Sequence, residues 1–279
     1  MTIPSVSPAA PRVLPTYFIS HGGGPWPWMR AQTGATYDRL AASLADLPRR
    51  IGAAPRAVLM VSAHWEADAF TVQGHARPPM LYDYGGFPAH TYAVRYDAPG
   101  DPVLARRVQA LIAGAGLPAA FNAARGFDHG TFSPMAAIYP AADVPVVQLS
   151  LRRGLDPAEH LALGRALAPL RREDVLIVGS GLSYHNLRNF GPSARDASHA
   201  FDDWLDQAVV RTPPARRDAA LVAWEAAPAA RLAHPREEHL IPLMVAAGAA
   251  GGEAAERIYH EDDFMGGIAV SSFRFGAAP

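Results

Sequence analysis

The chain contains no cysteine. That excludes disulfides, thiolate metal ligands and cysteine nucleophiles together, so a metal held by side chains must be held by His, Asp or Glu. It also lacks a charge excess. Its 25 basic and 26 acidic residues leave a formal net charge of -1, which supplies no electrostatic footprint for nucleic acid or an anionic membrane. No stretch approaches the roughly 18 consecutive apolar residues of a membrane-spanning helix. The opening MTIPSVSPAAPRVLP has no charged stretch followed by an apolar core, so no secretory signal is expected. Residues 1–12 read as a flexible, Pro-rich lead-in. These absences point to a cytoplasmic location and to small-molecule partners, with no nucleic-acid or membrane partner.

What is present is a chain of 279 residues, 49% of them hydrophobic, enough to bury a large core. Short β-branched and aromatic runs read as buried strands at 13–20 (VLPTYFIS), 57–65 (AVLMVSAHW), 144–151, 174–186 (DVLIVGSGLSYHN) and 267–276. Helical spacing of apolar residues predicts helices over 36–51, 102–116, 157–171, 199–210 and 237–250. Residues 80–88 (MLYDYGGFP) read as a loop. Strands alternating with helices predict an α/β fold with a central mixed, largely parallel sheet flanked by helices. No linker, composition step or internal repeat divides the chain, so 1–279 is expected to be one catalytic domain.

The 11 histidines are informative by their placement. His21, His64 and His185 each follow a predicted strand. In open α/β sheets, ligands bind outside the carboxyl ends of the strands, so three histidines distant in sequence can converge there. His129 lies in the Gly-flanked loop RGFDHGTFSPM, and His234 and His239 bracket the approach to the helix over 237–250. His75, His90, His160, His199 and His260 read as structural, with His160 and His199 on helix surfaces.

The HGGG at 21–24 is also the form of an esterase oxyanion loop. That fold needs a G-x-S-x-G elbow, and the nearest match, Gly181-Leu182-Ser183-Tyr184-His185, has a histidine where the second glycine belongs. A serine hydrolase is therefore disfavoured. Neutral imidazole is a good ligand for zinc and ferrous iron, and two histidines with a carboxylate form the facial triad of non-haem iron oxygenases. His21 and His64 are candidates for two ligands, with Glu238 or His239 as the third.

At these residues the sequence resembles the class III extradiol ring-cleaving dioxygenases, and within them the 4,5-DOPA extradiol dioxygenase branch. The matching segments are FISHGGGP (18–25), SAHWE (62–66), YDYGGFP (82–88), YDAPG (96–100), FDHGTFSPM (127–135), GSGLSYHNL (179–187), HPREEHLIPLMVAAGAAG (234–251) and SSFRFG (271–276). They follow one another in family order and span nearly the whole chain. The resemblance implies that His21 and His64 are metal ligands, that His185 is the acid and base acting on a substrate hydroxyl, and that His129 faces the oxygen site. It puts His239 at the position of the third ligand, ahead of His234 and Glu238. That departs from the two-histidine, one-carboxylate pattern, and three neutral imidazoles suit Zn²⁺ as well as Fe²⁺.

The expected activity is therefore a non-haem, metal-dependent extradiol cleavage of a catechol-type, DOPA-like aromatic by O₂, with one divalent ion per chain, Fe²⁺ for catalysis or Zn²⁺. Zn²⁺ is redox-inactive, so a zinc enzyme on the same histidines would be a hydrolase using metal-bound hydroxide; this is the alternative. A non-enzymatic metal or ligand binder is a third possibility. Gly22 to Gly24 would let backbone approach the pocket, and Trp26, Trp28, Tyr82, Tyr84 and Phe87 would line a slot for the ring. No motif identifies partners for the ammonium and carboxylate of DOPA.

Overall fold

The computed structural model describes residues 12–277. Eight strands form one sheet: β1 (Thr16–Ser20), β2 (Ala57–Ala67), β3 (Phe70–Gln73), β4 (Ala119–Asn122), β5 (Val146–Arg152), β6 (Val175–Gly181), β7 (Ala255–Phe264) and β8 (Ile268–Phe275). Their order across the sheet is β4-β3-β5-β2-β6-β1-β8-β7. The pairs β1–β6, β2–β6, β2–β5 and β3–β4 are parallel, and β1–β8, β7–β8 and β3–β5 antiparallel. The sheet is thus mixed with a parallel centre, as the alternating pattern predicts. β1, β5 and β6 are near-continuous apolar runs because helices cover both their faces.

The principal helices are α1 (Asp38–Ala45), α2 (Pro102–Gly114), α3 (His129–Ile138), α4 (Pro157–Leu167), α5 (Arg195–Asp206), α6 (Pro214–Val222) and α7 (Ile241–Ala250). Two begin with an aspartate cap followed by proline. Asp101 accepts from the Leu104 N–H at 2.9 Å, and Asp156 accepts from the Ala158 and Glu159 N–H groups at 2.7 and 3.1 Å. Each cap satisfies amide donors that the helix itself leaves open, and proline in the first turn forgoes no intrahelical bond. α7 is apolar on every side and wholly buried, packed against α4 and across β1 and β6. Among the described residues, no helix is long and apolar enough to cross a membrane.

Several boundaries differ from the sequence reading. The helix expected over 36–51 breaks at Asp46, and Leu47–Ile51 forms a separate short helix around Pro48, which has no N–H to continue the first. The late helix starts at Ile241, so Glu237, Glu238 and His239 lie in the turn before it. His129 opens α3 and does not lie in a loop. The strand over 174–186 ends at Gly181, and His185 lies four residues beyond it. β3, β4 and β7 escape a periodicity search: the first two are four residues each, and β7 (AERIYHEDDF) is a charged edge strand. Residues 1–11 of the expected lead-in lie outside the described residues; Arg12 is anchored, its guanidinium bonding to Asp174 Oδ1 at 2.8 and 2.6 Å.

His160 was expected on a helix surface and is completely buried in α4. Its Nδ1–H donates to the Asp156 carbonyl at 2.7 Å and its Nε2 accepts from the Arg152 N–H at 3.2 Å, so both nitrogens are used by the neutral ring. His234, equally buried, donates from Nε2 to the Ser183 carbonyl at 3.0 Å. Burial lowers both rings from 6.5 to about 4. Between those values the unfolded chain binds more protons than the folded one, so stability falls as pH falls through the window. At full development the difference is roughly 3 kcal/mol per ring. Urea titrations of metal-free protein at pH 7 and pH 4.5 should show a clear loss at the lower pH. A His160→Gln variant that folds should show a shallower pH slope; an unchanged slope would remove His160 from this account.

Candidate metal centre

β2, β6 and β1 are adjacent and parallel, so their carboxyl ends open on one edge of the sheet. His21 directly follows β1, and its backbone N–H donates to the Gly181 carbonyl at 3.0 Å. Gly22 then turns with φ +77°, and a Cβ there would stand 2.5 Å from the Trp26 ring. The Trp26 Nε1–H in turn donates to the His21 carbonyl at 2.7 Å. His64 projects from within β2, where the register to β5 shifts between Val61 and Glu66. The bulge re-aims the side chain toward His21. The His239 segment is docked on β6: Leu182 N–H donates to the His239 carbonyl at 3.1 Å. A Cβ on Gly181 would meet that carbonyl at 2.0 Å, so only glycine allows the approach.

The rings converge. His64 Nε2 lies 3.2 Å from His21 Nε2 and 3.2 Å from His239 Nε2. Their outer nitrogens are engaged. Ser180 Oγ donates its proton to the Gly130 carbonyl and so can only accept from His21 Nδ1–H, at 3.1 Å. Glu238 Oε1 accepts from His239 Nδ1–H at 2.8 Å. Asp83 Oδ2 faces His64 Nδ1 at 3.5 Å. The hydrogen bonds of His21 and His239 fix their tautomers with Nε2 unprotonated, and His64 Nε2 stands between those two Nε2 atoms, the second-sphere pattern of histidine metal ligands.

The donor set fits a divalent ion. Lone pairs crowded this closely repel unless a cation sits between them. Nitrogens 2.0–2.2 Å from one ion stand roughly 2.8–3.6 Å apart in octahedral to tetrahedral geometry, which brackets the spacing of His64 Nε2 from the other two. Burial, and secondarily the neighbouring imidazoles, push His21 and His239 well below the ordinary histidine pKa, and burial followed by His129 lowers His64 to about 3. The rings therefore stand unprotonated and able to ligate at neutral pH.

Two further histidines border the three. His129 packs its ring on His64 with centroids 3.8 Å apart, while its backbone N–H and Nδ1–H both reach Asp83 Oδ1 at 2.9 Å. His185 stacks on His239 at 3.4 Å between centroids, and its Nδ1 lies 3.0 Å from Glu238 Oε1. One carboxylate oxygen thus serves both His185 and His239. Burial pulls Glu238 upward, but the His185 hydrogen bond and nearby positive charge outweigh it and leave the carboxyl below its usual range. His21, His64 and His129 have ligand atoms mutually within 4.8 Å, as do His185, Glu238 and His239. The His64–His239 contact joins these two groups. His129 lies against His64 at an interplanar angle of 47° with its Nδ1 turned to Asp83, whereas His239 meets it at 83° with the two Nε2 atoms 3.2 Å apart.

Other candidates fall elsewhere. The Nε2 of His234 is committed to Ser183, away from the three converging rings. Ser183 Oγ accepts from the Ser271 N–H at 2.8 Å, a structural bond that leaves no esterase elbow. Of the aromatics expected around the pocket, Tyr84 and Phe87 line it. Trp26 stacks on Tyr37, Trp28 meets Phe132 edge to face, and the Tyr82 hydroxyl donates to the Val94 carbonyl. Sequence reasoning missed Asp83, Ser180 and the role of Glu238 as a shared acceptor. An aspartate inside the aromatic run YDYGGFP was the available signal for the first.

The profile of a family described as the catalytic LigB subunit of aromatic ring-opening dioxygenase matches residues 15–274. The chain is 38% identical to a protein of Beta vulgaris named 4,5-DOPA dioxygenase extradiol, over 93% of this chain and 96% of that one. It is 37% identical to dioxygenase tasH of Hapsidospora irregularis, over 95% and 86%. The crystal structure of an uncharacterized Escherichia coli K12 protein, JW3007, superposes with a TM-score of 0.70 at 28% identity, over 94% of this chain and 100% of that one.

Proposed function

The chain belongs to the family of the catalytic LigB subunit of aromatic ring-opening dioxygenases, and from that premise we propose that His21, His64 and His239 hold one divalent ion at which a catechol ring is opened. Membership makes it an extradiol dioxygenase and disfavours the zinc hydrolase. The observation that carries the site assignment is the approach of His64 Nε2 to within 3.2 Å of the Nε2 atoms of both His21 and His239, with Ser180 and Glu238 holding the Nδ1 sides of those two rings and Asp83 facing that of His64. Fe²⁺ is the metal we assign to turnover, since dioxygen must receive electrons and Zn²⁺ cannot pass them. The whole of 1–279 acts as one catalytic unit, in the cytoplasm, with a catechol and O₂ as its partners. The relatives named 4,5-DOPA dioxygenase make DOPA the reference catechol.

A bound divalent metal supplies Lewis acidity that lowers the pKa of coordinated hydroxyls and, when redox-active, a route for electrons to O₂. The protein supplies the rest. With Nδ1–H pointed at Glu238, His185 presents its Nε2 lone pair as a base for the second catechol hydroxyl. Glu238 stabilises the imidazolium that results and steadies His239 beside it. His129, held by two donations to Asp83, is the group that faces developing negative charge on the oxygen side and returns a proton.

Anaerobic loading with Fe²⁺, followed by O₂ and catechol, tests the reading. One O₂ should be consumed per catechol, with a product absorbing in the near-UV or visible and both oxygen atoms of ¹⁸O₂ incorporated. Ester or amide turnover with Zn²⁺, without O₂ uptake, would instead establish the hydrolase.

A further inference from the structure

The cavity over the histidines has a volume of about 340 Å³. Its floor is the imidazole cluster. Its walls and mouth are Phe87, Leu182, Leu187, Phe190, Phe264 and Met265. Leu187 is 72% exposed at this rim, an apolar side chain left in water beside an apolar opening. Of the two tyrosine hydroxyls of the lining, Tyr84 donates to the Thr91 carbonyl at 2.7 Å, and Tyr37 accepts from the Gly23 backbone. The chain has no lysine at all, and among the described residues no arginine lines the cavity. The carboxylates nearest by, Asp83 and Glu238, do not line the cavity: Asp83 Oδ1 and Glu238 Oε1 are taken by His129, His185 and His239, and Glu238 Oε2 is buried 3.5 Å from Arg236 Nη1. Arg236 is tied to Glu66 at 2.6 Å.

A catechol ring fills only part of this volume, and what remains, beyond the histidine floor, can bury an apolar substituent but presents no arginine, lysine or carboxylate to a charged one. A carboxylate or ammonium drawn in beside the ring would lose water without gaining a counter-charge, which is strongly unfavourable. We infer that this site selects catechols whose ring substituent is uncharged and apolar, an alkyl or aryl group, over catechols carrying a carboxylate or an amino-acid side chain. The inference rests on the ring-opening reading above and narrows its substrate class.

The test compares 4-methyl-, 4-propyl- and 4-butylcatechol with L-DOPA, dopamine and protocatechuate in O₂ uptake by the Fe²⁺-loaded protein. Lengthening the alkyl chain should raise kcat/KM by roughly three- to fourfold per CH₂ until the cavity is full. 4-Butylcatechol should exceed L-DOPA and protocatechuate by at least tenfold. Leu187→Arg, at the exposed rim, should narrow the preference by improving protocatechuate and weakening 4-butylcatechol. Equal or better turnover of L-DOPA or protocatechuate by the unaltered protein overturns the inference while leaving the dioxygenase intact.

Anaerobic calorimetry on the Zn²⁺-loaded protein reads the same pocket without turnover. 4-Butylcatechol should bind more tightly than protocatechuate, with a more negative heat-capacity change. Tighter binding of protocatechuate would overturn the inference by this route too. If no catechol drives O₂ uptake, the ring-opening reading has failed, and the calorimetric order still decides the character of the pocket.

Discussion

His239→Ala should remove the metal and with it all measurable O₂ uptake, while circular dichroism stays close to that of the unaltered protein. The fold does not need the imidazole. The backbone of residue 239 keeps its acceptor role toward Leu182, and Ile241–Ala250 is held by its own apolar burial. The site does need it, because two imidazoles cannot define a position that three Nε2 atoms define. Loss of an outer partner of a ligand costs 10–100-fold in affinity or activity, and loss of the ligand itself exceeds that. The same result is expected for His21→Ala and His64→Ala. Metal content by plasma emission after desalting is the deciding measurement. His129→Ala is the control, since its ligand atoms group with those of His21 and His64. Should His129→Ala lose the ion while His239→Ala retains it, the third ligand is His129, and the packing of its ring on His64 is coordination misread.

His185→Gln should keep the metal and still bind catechol, but lose ~10²–10⁴-fold in kcat, the usual worth of a positioned general acid or base. Its loss should differ from that of His239 because its ring stacks on His239 with its Nδ1 turned to Glu238, whereas His239 Nε2 is the atom that meets His64. Glutamine retains a donor toward Glu238 and removes the titrating nitrogen, so orientation and proton transfer are separated. Glu238→Gln should show a milder version of both defects, since one oxygen serves His185 and His239 alike. It should lower metal affinity in part and kcat in part. Metal loss in His185→Gln as complete as in His21→Ala would make His185 a ligand and end the acid–base assignment.

The sequence carried the strand runs of the parallel centre, the HGGG after the first of them, and histidines near three strand ends. Those features are local. A buried parallel strand must be apolar along its length, and a polar residue at its end is then conspicuous. β7 was not legible in the same way, because an edge strand with one wet face can be charged, and AERIYHEDDF carries no alternation. His129 and His185 were visible, but their surroundings were not. Asp83 lies 46 residues before His129, and Glu238 lies 53 residues after His185; neither separation leaves a trace in the order of residues. His160 went the other way. Its place on a helix suggested water, and only the packing of α4 against the sheet buries it.

By itself the sequence determined the chemistry available to this protein. With no cysteine, a side-chain metal site had to be built from imidazole and carboxylate, and the strand pattern required that sites open at the carboxyl ends of a parallel sheet. Tertiary structure alone decided which of the eleven histidines meet, which nitrogen of each faces inward, and that the wall around them is apolar. The reason is that ligation depends on the direction of a lone pair to within a few tenths of an ångström. That direction is set for two of the rings by groups brought in from other strands and turns, Ser180 for His21 and Asp83 for His64, and for His239 by its own neighbour Glu238, whose other partner His185 comes from beyond β6.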